Sequence, residues 1–129
     1  MLTRAKAIPH CFDIWMCDLV SSEGSVQGGY RPALVLSNDR NNTYSPTVNV
    51  IPITSKMNKR NLPIHVEIWN HSRFGLKTPS TLLVEQIRTI PIESLDKRIG
   101  HIDDKGLLNK IKRAMSIQFP VLALVSQFS

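Results

Sequence analysis

The stretch Gly28-Gly29-Tyr30-Arg31-Pro32, continued by Ala33-Leu34-Val35-Leu36 and then by Ser37-Asn38, constrains this chain more than any other. An unbroken apolar run bounded by turn formers reads as a strand buried on both faces. The fold therefore needs apolar material on each side of it. Adjacent glycines open backbone conformations closed to other residues and let a ligand approach the main chain, while Pro32 stiffens the point where loop becomes strand. Arg31 is thereby held at the mouth of the strand, where a guanidinium offers a fixed fork of donors suited to phosphate. Read alone, the same residues also suit a surface arginine beside a β-turn.

On either side of that run the pattern is one of short strands. A strand is expected over 12–19, apolar on both sides, then a loop over 20–29 of Ser, Gly and Gln that is longer than a hairpin requires and suits a binding element. The strand over 31–37 leads into the polar segment that opens with Asn38 and Asp39, with room for one helical turn. A third strand spans 47–54. Pro52 cannot donate to a ladder, which places it at an edge or a bulge, and Thr54 follows it as either a strand-end threonine bonded locally or a site residue.

Lys56, Lys59 and Arg60 make a basic loop, a solvated face or a grip on a phosphate backbone. Over 64–69 the alternation is clean: Ile64, Val66 and Ile68 face inward, with His65, Glu67 and Trp69 on the other side. His65 and Trp69 there suit base stacking or simple packing. Another buried run, 80–87, closes in Glu85-Gln86-Ile87-Arg88, whose charges suit a salt bridge or a groove. A short strand over 98–102 precedes Asp103-Asp104, a helix cap. Leu107, Leu108, Ile111, Ala114 and Met115 then fall at helical spacing, with Lys110, Lys112 and Arg113 over much of the remainder, and Pro120 ends or bends the helix.

These elements give a mainly β chain with one late helix, a small curved sheet or barrel. At 129 residues it reads as a single domain over 1–129, with 1–10 as a loose arm. A formal charge of +6 and a pI near 9.7 point to a polyanionic or acidic partner. No apolar stretch is long enough to span a bilayer, and residues 1–10 lack the apolar centre of a signal peptide, so the expected location is the cytoplasm. Cys11 and Cys17 are too far apart along a strand to bridge and read as small apolar residues. The sequence holds no carboxylate cluster, zinc spacing or P-loop, so neither a metal nor a cofactor is expected.

Taken in order, Asp13-Ile14-Trp15, Gly24-Ser25-Val26-Gln27-Gly28-Gly29-Tyr30-Arg31-Pro32, Ser37-Asn38-Asp39, Ser45-Pro46-Thr47, Pro52-Ile53-Thr54, Pro63-Ile64-His65-Val66-Glu67-Ile68 and Glu85-Gln86-Ile87-Arg88-Thr89-Ile90 resemble the MazF/PemK/Kid family of toxin endoribonucleases. The resemblance runs from Asp13 to the late helix. It implies an SH3-like barrel of the CcdB/MazF type with a C-terminal helix, a homodimer, and an acidic antitoxin of the MazE kind that blocks the RNA groove. It also implies cleavage of single-stranded RNA with Arg31 and Thr54 as the catalytic residues. The loop carrying Ser25, Gln27, Gly28 and Gly29 would lie over the site and help choose the RNA sequence.

Glu85, Gln86 and Arg88 would line the groove, with Lys56, Lys59, Arg60 and His65 as further RNA contacts. Such an enzyme orients the 2′-hydroxyl onto the adjacent phosphate and leaves a 2′,3′-cyclic phosphate and a 5′-hydroxyl. A guanidinium is a poor base, and the residues leave the proton acceptor open between Glu85 and His65. Two departures stand out: the family usually carries a basic residue and a glycine where Cys11 and Phe12 stand, and often an acidic residue where Val26 stands. A noncatalytic binder on the same barrel is the alternative, either an RNA-binding module or a gyrase poison of the CcdB type. The latter depends on a tryptophan near the chain's end, where this sequence has Ser126-Gln127-Phe128-Ser129.

Overall fold

Among the described residues, apolar alternation and turn chemistry produce seven strands and two helices: β1 (Asp13–Leu19), β2 (Gly29–Val35), α1 (Asp39–Tyr44), β3 (Thr47–Thr54), β4 (His65–Ile68), β5 (Ser80–Leu83), β6 (Arg88–Pro91), β7 (Leu95–His101) and α2 (Lys105–Gln118). The structure, a computed structural model, describes residues 7–20, 28–57 and 61–127. All strand pairs are antiparallel, in the order β4-β5-β3-β2-β1-β7, with β6 joined to β3.

β3 changes partner half-way along. Its first half pairs with β6 up to Val50↔Arg88, and its end pairs with β5 from Ile53↔Leu82. Pro52 lies between the two ladders and in regular register with Ala33, so it sits within a central strand and at neither the edge nor the bulge its sequence suggests. The bond from Leu36 N–H to the Asn49 carbonyl shows that odd-numbered residues of β3 bond to β2. The donor that Pro52 lacks would therefore point to the opposite side, into the gap between β6 and β5, where nothing calls for it.

Because side chains alternate, the sheet has an apolar core on each face. On one, Ile14, Leu34, Ile51, Ile53, Val66 and Leu82 pack with Phe74 under α2, which contributes Leu107, Ile111 and Ala114. Leu108 and Met115, expected in the same stripe, are only partly buried against it. On the other face, Trp15, Cys17, Ala33, Val35, Val48 and Val50 meet Ile90, Ile92 and Leu95. That second core is enclosed by the chain itself. β6 extends the sheet beyond β3, a turn of 3-10 helix (Ile92–Ser94) follows, and β7 returns onto β1. The SH3-like barrel expected from the sequence is thus an open, curled sheet: no ladder joins β6 to β7 among the described residues, and only the covalent turn between them wraps the barrel side.

The buried run read as one strand over 80–87 is two elements, β5 and a 3-10 turn (Val84–Gln86), after which β6 begins. Val84, where the strand gives way to the turn, is as buried as the strand before it, so burial and apolarity do not mark where the chain starts to move along β3. The strand expected over 98–102 begins earlier, at Leu95. Asn38 caps α1 by accepting from the Asn41 N–H, and Asp104 caps α2 by accepting from the Leu107 N–H. α2 stops at Gln118, ahead of Pro120, as proline requires.

Asp13 fastens the start of β1. Its carboxylate is wholly buried and accepts from the His10 backbone N–H (2.8 Å), Arg98 Nε (3.1 Å) and the Trp15 indole (3.4 Å), with His101 Nδ1 at 2.8 Å. A buried carboxylate is tolerable only when so many donors meet it. Phe12, just before it, has a left-handed φ of 74°, the conformation that favours the glycine usual in the family. Its backbone is tied on both sides, donating to the Val35 carbonyl and accepting from the Ile102 N–H, while its ring packs on the helix-covered core. Cys11 and Cys17 are unbridged. No helix among the described residues is long and apolar enough to cross a membrane.

Candidate active site

Register, more than proximity in sequence, assembles the site. Cys17 lies opposite Arg31 across β1 and β2. The β2–β3 ladder ends at Ala33↔Pro52, and Arg31 and Thr54 each lie two residues beyond it toward the loop, on the same face of their strands. Thr54 lies opposite Thr81 on β5, and Thr81 opposite Glu67 on β4. Residues directly opposite share a face, so Cys17, Arg31, Thr54, Thr81 and Glu67 form one transverse row over five strands, facing away from the helix-covered core.

Arg31 stands at the end of the barrel core, just beyond Ala33. Its Nε donates to the Gly28 carbonyl at 2.7 Å, which fixes the guanidinium plane and leaves the terminal nitrogens without a protein partner among the described residues. Gly29 makes this return possible: its φ is +81°, with open space around the position a Cβ would take, so backbone conformation and not room selects glycine. Thr54 is nearly buried. Its hydroxyl oxygen accepts from the Lys56 N–H (3.2 Å), and its own hydrogen has no acceptor among the described residues. It is therefore a locally bonded strand-end threonine that still has a donor to give.

Arg88 joins them from β6. Lying opposite Val50, it projects on the barrel side, as Arg31 and Thr54 do. Gln86 aligns it through both its backbone carbonyl (3.3 Å) and its side-chain oxygen (3.4 Å), and the Val20 carbonyl adds a third acceptor at 3.4 Å. Burial, then repulsion from Arg31, holds the Arg88 guanidinium below its usual pKa. Beneath the pair, Cys17 supplies no compensating charge. Burial pushes its thiol up to about 11, so it stays neutral, and its Sγ donates to the Arg31 carbonyl at 3.6 Å. Two oriented guanidiniums and a hydroxyl donor around a neutral floor form a site that an anion with several acceptor oxygens would satisfy.

Glu85 pairs with His65 and not with Arg88: Glu85 Oε2 lies 3.0 Å from His65 Nε2, both partly buried. The other oxygen, Oε1, is buried with no partner among the described residues, as is the Thr81 hydroxyl. Lys56 is exposed directly after Thr54. Ser25, Gln27, Lys59 and Arg60, the remaining expected contacts, lie outside the described residues. No cluster of His, Cys, Asp and Glu suited to a metal occurs among the described residues. Cys17, Thr81 and Glu67 were not expected at the site; the signal for them is a strand offset, invisible until pairing is known.

The model of one protein family, described as PemK-like, MazF-like toxins of type II toxin-antitoxin systems, matches residues 10–119. The chain belongs to this family. It is 42% identical over 110 residues to Endoribonuclease EndoA of Bacillus subtilis, covering 85% of this toxin and 93% of that protein. Its fold matches MazF of Deinococcus radiodurans with a TM-score of 0.74 at 21% identity, over 89% of this chain and 99% of that one. A mycobacterial endoribonuclease solved with its cognate antitoxin matches at a TM-score of 0.67 and 20% identity, over 89% and 96% of the two chains. As in the resemblance read from sequence, the toxin is a MazF-type endoribonuclease of mainly β architecture with a C-terminal helix.

Proposed function

We propose that this toxin cuts single-stranded RNA by attack of a ribose 2′-hydroxyl on the adjacent phosphate, with Arg31 and Thr54 as the catalytic residues. The 2′-oxygen forms a bond to phosphorus, the bond to the 5′-oxygen breaks, and the departing oxygen takes a proton. The products are a 2′,3′-cyclic phosphate and a 5′-hydroxyl. The observation that carries this reading is the convergence of Arg31 and Thr54, from different strands, at one end of the barrel with donors still to give. Those donors suit the non-bridging oxygens as charge grows on them, and Arg88 adds a second positive group. The 2′-proton needs an acceptor, and the two candidates, His65 on β4 and Glu85 in the 3-10 turn after β5, lie 3.0 Å apart.

The reaction draws on groups of the RNA and of the chain, so cleavage is expected to persist in EDTA. The partner side follows from charge. A basic toxin, similar to an endoribonuclease solved with its cognate antitoxin, suits an acidic antitoxin segment that competes with RNA, and a cytoplasmic homodimer with RNA along the subunit junction. The test uses mixed-sequence RNA to map the cut, then an oligonucleotide with one 2′-deoxy sugar immediately 5′ of the scissile phosphate. It should bind nearly as well as RNA, since phosphate contacts dominate affinity, and should not be cut. Cleavage of it at the rate of RNA would remove the mechanism.

A further inference from the structure

The transverse row that holds Arg31 and Thr54 does not stop at the scissile position. It runs on through Thr81 to Glu67, and β4, which carries Glu67, is the last strand of the sheet. With strands about 4.8 Å apart, Glu67 lies two strand spacings, roughly 10 Å, from Thr54. Past that edge, the outward side chains of β4 meet the flank of α2. A cavity of about 210 Å³ opens there, lined by His65, Glu67, Trp69, Lys110 and Arg113 among others. Trp69 is 64% exposed, unusual for so large an apolar surface. Lys110 and Arg113, three residues apart, share one helix face. The ion pairs of the described residues all involve other cations.

We propose that this cavity is a second nucleotide subsite, which takes the base of an RNA residue near the cut on Trp69 and its phosphate on Lys110 and Arg113. The inference rests on the endoribonuclease reading of the main site. An aromatic plane accepts any base by stacking, and two cations without carboxylate partners among the described residues suit the backbone that joins it to the next residue. Glu67 adds discrimination: a carboxylate accepts from an exocyclic amino group, so cytosine, adenine or guanine is preferred there over uracil. RNA crossing the row from Arg31 toward β4 leaves the sheet over this edge, which makes the cavity the next surface it meets.

Once the cut site is mapped, the experiment uses the full chain and an oligonucleotide made uncleavable by a 2′-deoxy sugar at that site, alongside its cleavable parent. Trp15 is buried, so quenching of tryptophan emission on binding reports Trp69. Trp69→Ala should weaken binding about tenfold or more and raise KM with kcat unchanged, while Trp69→Phe keeps most of the affinity. The pair Lys110→Ala and Arg113→Ala should lower the log–log salt slope by about 1.4. Glu67→Gln should erase the preference against uracil at one position flanking the cut. Stepwise trimming of the RNA should remove the difference between wild type and Trp69→Ala once that nucleotide is gone.

Full affinity in Trp69→Ala, or unquenched emission on binding, overturns the subsite. So does dissociation of an oligomer by Trp69→Ala in sedimentation, which would make the cavity a subunit contact. Failure of the wild type to cut any RNA is a different result, which refutes the main-site reading instead.

Discussion

The two cores of this toxin are built from alternate residues of the same strands, yet they end differently. Under α2 the apolar packing is complete, with Phe74, Ile53, Leu82 and Ile102 essentially inaccessible. Gly75 and Gly100 let the turn carrying Phe74 approach β7 so closely that a Cβ at either would lie 1.9 Å from a carbonyl oxygen. The barrel core is equally apolar at Ala33, Val35 and Val50, but one step further along β2, and beside the last of these on β6, stand Arg31 and Arg88. A charged group is costly inside and cheap at an opening. The barrel can therefore place two guanidiniums where the helix-covered core could not. One face is devoted to stability, and the end of the other holds the proposed site.

The sharpest way to break that contrast is to injure each side once. Phe74→Ala should cost about 3 to 5 kcal/mol of stability, read as a shift in denaturant midpoint, while the molecules that remain folded cut RNA at the normal rate. Arg31→Lys should do the reverse. It keeps the charge but loses the fork, so cleavage should fall roughly a hundred- to a thousandfold with the midpoint moved by less than about 0.5 kcal/mol. Equal loss of folding in both would show that Arg31 is a structural residue.

A smaller contrast lies within the row itself, between two threonines that face each other. Thr54→Val removes a donor free to meet a charged phosphate and should slow cleavage roughly ten- to a hundredfold with folding intact. Thr81→Val removes a buried hydroxyl that lacks a partner among the described residues, and should raise stability by about 1 kcal/mol without slowing the cut. A destabilised Thr81→Val, seen in thermal melts, would show that its hydroxyl is satisfied in solution.

The smallest effect concerns the neutral floor. The Cys17 thiol is raised from 9.0 to about 11 in the folded chain. Its contribution to stability is therefore present in full below about pH 9 and is lost as pH rises toward 11, because the unfolded chain releases its proton first. Denaturant titrations between those values should show a decline that is shallower in Cys17→Ala. The same slope in both proteins would place the alkaline titration elsewhere.

How much of this was legible beforehand follows from which interactions are local. The helix cap at Asp104, the helical turn after Asn38, the apolar stripe of α2, the alternation in β4 and the doubly buried β2 are written in residues a few positions apart, and each was readable from them. So was the resemblance that named Arg31 and Thr54 together, because ordered motifs preserve spacing along the chain. Spacing could not show that Glu85 turns to His65 and not to Arg88, or that the strand ends at Leu83 when Val84 continues its apolar run. Pro52 looked like an edge or bulge residue because its lack of a donor is local, whereas the gap that makes it harmless comes from β6 and β5 ending on either side of it. Nor could the sequence place Cys17 beneath Arg31, or carry a row from Thr54 to Glu67 and over the edge to α2. Those placements depend on strand register, which is settled by which apolar faces bury together across the whole sheet, and only the folded chain decides that.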